Sequence, residues 1–312
     1  MNNKLLLILF LLSGVTVSRA QDSLVEWDPA GMRFSIMLQP YYIETNGANQ
    51  VNFGMGARAD YYFPKVLSLH GSIKQALFDL NNYNANGKGA ITSENTTNLF
   101  QQYEFGAGLF FNLDGNTKAR VYAWPGTGYY DAIEKDTFYD YTKESLPCRT
   151  MIGLRGGVYN WRQSVDAVAA SPGALVSSDG TFVFNDSDDL YTNITTRGFY
   201  AGLSLSKLVD VFYPGANGQQ RNVSFIRNLY LDVLYAPDIT VDNIVINGVP
   251  RNVTGPQGIP TNNMGGRIVY EKTGVGDFPK LNFSYRIEAG IRPGLADKGF
   301  YIMQTIGLGF AR

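Results

Sequence analysis

The 33 residues from Lys280 to Arg312 alternate apolar and polar side chains almost without a break, in two runs separated by a short Gly/Pro turn. In the first run Leu281, Phe283, Tyr285, Ile287, Ala289 and Ile291 share one parity, and Asn282, Ser284, Arg286, Glu288, Gly290 and Arg292 share the other. In the second, Phe300, Ile302, Ile306, Leu308 and Phe310 alternate with Tyr301, Met303, Thr305, Gly307 and Gly309. Successive side chains of a strand point to opposite faces, so this is a hairpin with one apolar and one polar side. Strands of about a dozen residues cross a bilayer when tilted. Lipid offers no partner to an open backbone edge, so such a sheet must close on itself. The pattern therefore predicts an all-β fold, a transmembrane antiparallel up-and-down β-barrel.

The same alternation recurs upstream. Met32 to Glu44 sets Phe34, Ile36, Leu38 and Tyr42 against Arg33, Ser35 and Gln39, and Asn46-Gly47 closes a hairpin. Val51 to Phe63 places Arg58 and Asp60 on its polar face, and Leu67 to Leu77 places Ser68, His70, Ser72 and Lys74 there. Leu99 to Phe111 carries Glu104 inward, Asp114-Gly115-Asn116 reads as a turn, and Lys118 to Trp124 reads as a further strand with Arg120. Arg149 to Trp161 brings Arg155; Gly198 to Leu208 and Ser224 to Ala236 bring Asp232. Weaker strands are expected at Thr137 to Thr142 and near Ile244 and Ile268. With both termini on the periplasmic side the strand number should be even. Twelve strands are predicted, within a range of ten to fourteen.

The N-terminus has the form of a secretory signal. Lys4 is its basic residue, Leu5 to Leu12 its apolar stretch, and Ser18-Arg19-Ala20 its cleavage site. Residues 1–20 are thus expected to be a signal peptide and residues 21–312 a single outer-membrane barrel domain. A formal charge of −1 gives no electrostatic case for nucleic acid, and one cysteine, Cys148, excludes an internal disulfide framework. Charged residues are only 17% of the chain while aromatics are 13%, a mix that suits strands, turns and interfacial girdles. A soluble sandwich or lipocalin-like barrel would also alternate. Against it stand strands about twice the usual soluble length, aromatics near strand ends, and loops that alternate short and long.

Together with the signal ending before Gln21, the segment Arg292-Pro293-Gly294, Gly299-Phe300-Tyr301 and Ile306-Gly307-Leu308-Gly309-Phe310 resembles the outer-membrane β-barrel proteins of Bacteroidota. The likeness is architectural and implies insertion by the outer-membrane assembly machinery of a Gram-negative cell. The chain departs from many such barrels in following Phe310 with Ala311-Arg312, and it lacks the length and plug of TonB-dependent transporters.

The candidate lumen-lining residues are Arg58, Asp60, His70, Lys74, Glu104, Arg120, Arg155, Asp232, Arg286, Glu288 and Arg292. Their basic surplus would favour anions in an open channel. Alternatively they form an ion-pair network that fills or constricts the lumen. His70 with Ser68 and Ser72 has the composition of a Ser–His hydrolase, but such enzymes act on lipid, whereas this face points inward. No catalytic, cofactor or metal residues are therefore assigned. The acidic run Asn185 to Asp189 lacks EF-hand spacing. The leading expectation is a small porin-like channel for small polar solutes. The alternative is a non-conducting structural or accessory barrel that docks a secretion or surface-assembly partner. Expected partners are outer-membrane lipid, the assembly machinery and a protein at the outer loops, which are rich in Tyr and Asn.

Overall fold

The computed structural model describes residues 34–47, 50–63, 67–81, 94–123, 129–130, 137–138, 142–171, 173–184, 190–214, 220–255, 258–274, 281–296 and 298–311, with side chains described except at 79–81, 112–149, 169 and 209–224. The expected signal peptide and the acidic run Asn185 to Asp189 lie outside these residues.

Among the described residues, ten antiparallel strands close into one barrel. They are β1 (Phe34–Asn46), β2 (Gln50–Tyr62), β3 (Leu67–Asn81), β4 (Gln101–Ala123), β5 (Thr142–Asp166), β6 (Tyr191–Pro214), β7 (Gln220–Val241), β8 (Met264–Gly274), β9 (Asn282–Ile291) and β10 (Phe300–Ala311). Each pairs with its sequence neighbour, and β1 closes on β10 with Ile36 opposite Phe310 and Leu38 opposite Leu308. Gly309 sits on this seam, where a Cβ would collide with the backbone of Ile36 and Met37.

Ten strands replace the expected twelve for two reasons. The chain does not turn at Asp114-Gly115-Asn116. It runs on through a register slip between Leu113 and Thr117, so Lys118 to Ala123 prolongs β4 against the start of β5. Thr137–Phe138 pairs only with Tyr129–Tyr130, and Ile244–Ile246 only with Val249–Arg251, both outside the barrel. The weak signal near Ile268 is a barrel strand, β8. The Ile244 hairpin turns at Asn247-Gly248, both at positive φ, the geometry of a type I′ turn.

Side-chain parity follows the sequence almost throughout. In β9, Phe283, Ile287 and Ile291 are exposed while Asn282, Ser284, Arg286 and Glu288 are buried; β10 alternates the same way from Phe300 to Ala311. Large apolar residues therefore lie on the outside of the barrel, with Leu38, Leu231 and Phe283 at 64%, 59% and 66% exposure. β1 departs from this parity, as β3 does at Leu77-Phe78 and β7 at Pro237-Asp238. The β1 register against both neighbours slips between residues 38 and 42, at Gln39-Pro40, because a proline has no N–H for the ladder. The slip reverses parity, so Tyr42, expected outside, is fully buried inside together with Glu44.

The two ends of the barrel differ. Phe34 and Ala311 mark one end, the terminal end. There β4 to β7, at 22 to 25 residues, outrun the 10 to 15 residues of the other strands. At the opposite end the connections after β3, β5, β7 and β9 pack into a cap. Phe100, Trp161, Val165, Leu175, Phe184 and Ile259 belong to its continuous apolar cluster. Backbone bonds stitch the loops together: Glu94 N–H donates to Val245, Ser178 N–H to Asn252 and Ala296 N–H to Pro260. Gly294, at φ 140°, presses its backbone onto the Trp161 ring, where a Cβ would come within 2.7 Å. In a turn of this cap, hydrogen bonds from Ser177 and Thr181 hold the Asp179 carboxyl down at about 2.

The closure register predicts a cross-link. In a Cys148→Ser background, Leu38→Cys with Leu308→Cys should form a disulfide on mild oxidation and shift migration on a non-reducing denaturing gel. Leu38→Cys with Ile306→Cys should do so far less, because Ile306 pairs with Tyr41. Equal cross-linking of the two pairs would refute the register.

Candidate functional site

Polar parity on nearly every strand points charged side chains at one axis, and desolvation then requires that they meet opposite charges. Glu104 of β4 is gripped by Arg267 of β8, on the far wall, through two bonds of 2.7 and 2.8 Å. Arg267 also reaches Asp232 of β7 at 2.7 Å through Nε and Glu288 of β9 at 3.3 Å. Both partners of the central pair are nearly inaccessible, with 2% and 1% of their side-chain surface exposed. Arg155 of β5 approaches Glu104 at 3.3 Å and Asp232 at 3.5 Å, and stacks over the Tyr230 ring at 3.9 Å.

Two further links cross the lumen. Arg58 of β2 holds Asp60 at 2.7 Å and reaches Glu271 of β8 at 3.3 Å. Lys74 of β3 donates to the Met303 sulfur of β10 at 2.8 Å and stands 4.0 Å from Glu288. Arg286 bridges Glu288 at 2.8 Å and Glu271 at 3.1 Å, and the Tyr301 hydroxyl donates to Glu288 at 2.5 Å. Under the cap, Arg292 makes a two-pronged pair with Glu44 at 2.6 and 2.7 Å and lies 3.9 Å above the Tyr301 ring. Beside it, a space of about 10 Å³ edged by Trp161, Gln163 and Leu295 holds no more than about one water.

Of the expected lumenal residues, Arg58, Asp60, His70, Lys74, Glu104, Arg155, Asp232, Arg286, Glu288 and Arg292 are all buried inside the barrel. The Arg120 side chain lies outside the described residues. The expected basic surplus does not hold among the described residues. Arg58, Lys74, Arg155, Arg267, Arg286 and Arg292 face Glu44, Asp60, Glu104, Asp232, Glu271 and Glu288, six against six. The sequence reading missed Glu44 behind the Pro40 slip. It missed Arg267 and Glu271 because β8 opens on Met264-Gly265-Gly266, which dilutes its alternation. Their signal is the stretch Arg267, Val269, Glu271 opposite Ile268, Tyr270, Lys272, and it is only a few residues long.

His70 is part of this network. Its Nε2 is bonded to the Tyr200 hydroxyl and lies 3.2 Å from Arg155 and 3.7 Å from Glu104. Gly106 and Gly157 leave the room for that contact, since a Cβ at either would run into the Tyr200 hydroxyl. The histidine's Nε2 thus faces a phenol, a guanidinium and a carboxylate. Among the described residues no group of histidine, cysteine and carboxylates has the arrangement of a metal site. What the arrangement does chemically is neutralise itself and tie opposite walls together.

The chain matches no model of a known protein family, and comparison with curated proteins finds no match.

Removing one member of the network should leave buried charge uncompensated. Arg267→Ala strands Glu104, Asp232 and Glu288, and is expected to lower stability by about 3–5 kcal/mol in urea unfolding of the refolded barrel. Arg267→Lys should recover only part, because an ammonium cannot fork onto a carboxylate. Arg197→Ala, which breaks a rim pair at 3.6 Å with 66% and 53% exposure, should cost less than about 1 kcal/mol. Equal losses at the two arginines would refute the network's structural role.

Proposed function

We propose that this protein is an integral outer-membrane β-barrel that does not conduct, and that it acts as a structural or accessory barrel docking a secretion or surface-assembly partner. The observation that carries this reading is the cluster of Glu104, Arg267, Asp232 and Glu288, which spans the lumen with its charges internally paired. An ion-selective pore leaves fixed charges facing water so that a passing ion can replace its hydration shell. Here each such charge is already engaged by the protein. The apolar cap over one mouth supports the same conclusion.

Membrane residence is supported by the inverted polarity. A belt from Phe300 to Phe310 spans ten residue steps, roughly 25 Å at ~3.3 Å per residue and ~40° tilt, which matches the apolar band of outer-membrane barrels. The expected signal peptide, and termini placed in the periplasm as is usual, put the capped end outside the cell. A partner there meets packed loops in place of an open mouth, while the long β4–β7 wall extends on the periplasmic side.

Planar bilayers containing the purified protein should give no steady conductance. A stable current carried by small solutes would instead favour the porin-like channel. The folded protein should migrate faster on a gel before heating than after, whereas a detergent-independent soluble monomer would refute membrane insertion.

A further inference from the structure

We infer that the outer wall of β4–β7 binds one phosphorylated lipid of the outer leaflet, with an acyl chain in a groove at the edge of the apolar band and its phosphate on Arg197 and Arg162. The inference rests on the membrane reading above. On the outer face Tyr103, Phe105, Val158 and Phe199 wall an open groove of about 520 Å³. Below it, the adjacent outward residues Ala107, Gly156 and Ala201 continue as a low track of small side chains across three strands.

The groove has a local cause. Between Arg197 and Phe199 the register of β6 against β7 slips, so that Arg197 faces Asp238 while Phe199 faces Tyr235. Pro237 lies in the slipped segment and cannot join the ladder. The wall is therefore interrupted just where the apolar belt ends.

Polar chemistry gathers at that end. Arg197 and Asp238 line the groove, and Arg162 is exposed on the same face of β5, two residues beyond Asn160. Asn160 pairs with Arg197, which makes Arg162 and Arg197 diagonal neighbours, within about 7–8 Å between backbones. Asp238 meets one nitrogen of Arg197, at 3.6 Å, and a guanidinium has five donors, so most remain for a ligand. Asn160 stands among apolar residues with its Oδ1 buried and without a hydrogen-bond partner. A polar residue on a lipid-facing wall is costly unless something pairs with it. A lipid bearing a phosphate and an acyl chain answers the rest of these features: phosphate for the two arginines and a chain for the groove. Two neighbouring guanidinium groups suit a phosphate better than they suit a zwitterionic headgroup.

The test uses the full-length mature protein in detergent, incubated with bisphosphorylated lipid A, with the same lipid after dephosphorylation, or with phosphatidylethanolamine, and read by native mass spectrometry. One lipid A per barrel is expected, with affinity reduced about tenfold by dephosphorylation or by Arg162→Ala with Arg197→Ala. Val158→Trp, which fills the groove and leaves both arginines in place, should also displace the lipid. Binding that is unchanged in the double variant, or equal for phosphatidylethanolamine, would overturn the inference. Each variant is also checked for heat-modifiable migration and insertion into vesicles. A barrel that inserts yet retains no lipid A refutes this site alone, whereas one that stays soluble without detergent refutes the membrane reading.

Discussion

A buried guanidinium costs several kcal/mol unless a carboxylate meets it in good geometry, and among the described residues this barrel buries five of them and a lysine around one axis. Everything else in the architecture is arranged about that requirement. Neighbouring strands alone do not satisfy it, because Glu104, Glu271 and Glu288 each find a cation from well across the sheet. The walls are thereby fixed at the separation that salt-bridge lengths allow. The ladder of backbone bonds closes the cylinder, and the charges set its bore.

Small residues make that bore workable. Gly106 and Gly157 face the lumen where Tyr200 and His70 meet, and the two aromatic groups occupy the volume their side chains would take. Tyr200, Tyr230 and Tyr301 lie against Arg155, Arg267 and Arg292, covering guanidinium faces whose edges are engaged by carboxylates. A lumen of this kind is a polar core in which aromatic planes do the work that aliphatic packing does in a soluble protein.

Much of this was legible from residue order, because parity along a strand is local information. Phe283 to Ile291 and Phe300 to Phe310 point as their alternation says, and ten of the eleven named lumenal residues are found inside. What parity does not contain is pairing. Asp114-Gly115-Asn116 has the composition of a turn and serves as an irregularity within β4, a distinction decided by partners about 30 residues downstream in β5. The balance of charge was misjudged for a related reason, since Glu44, Arg267 and Glu271 sit where alternation is broken or brief. The cap has no periodic signature at all, and its apolar residues are scattered over four connections and the strand ends beside them, which only the closed barrel brings together.

The slip at Gln39-Pro40 has a consequence of another kind. A strand normally carries a single phase, so that its odd and even positions keep their meaning from end to end. β1 carries two, and Tyr42 and Glu44 are inside only because one residue is left out of the ladder. Length, rather than identity, is the information stored there. Shortening that stretch by one residue would leave every other amino acid unchanged and yet turn Glu44 toward the outer face of the barrel and Ile43 toward Arg292. In this strand the count of residues is itself an encoded property, as strict as a reading frame.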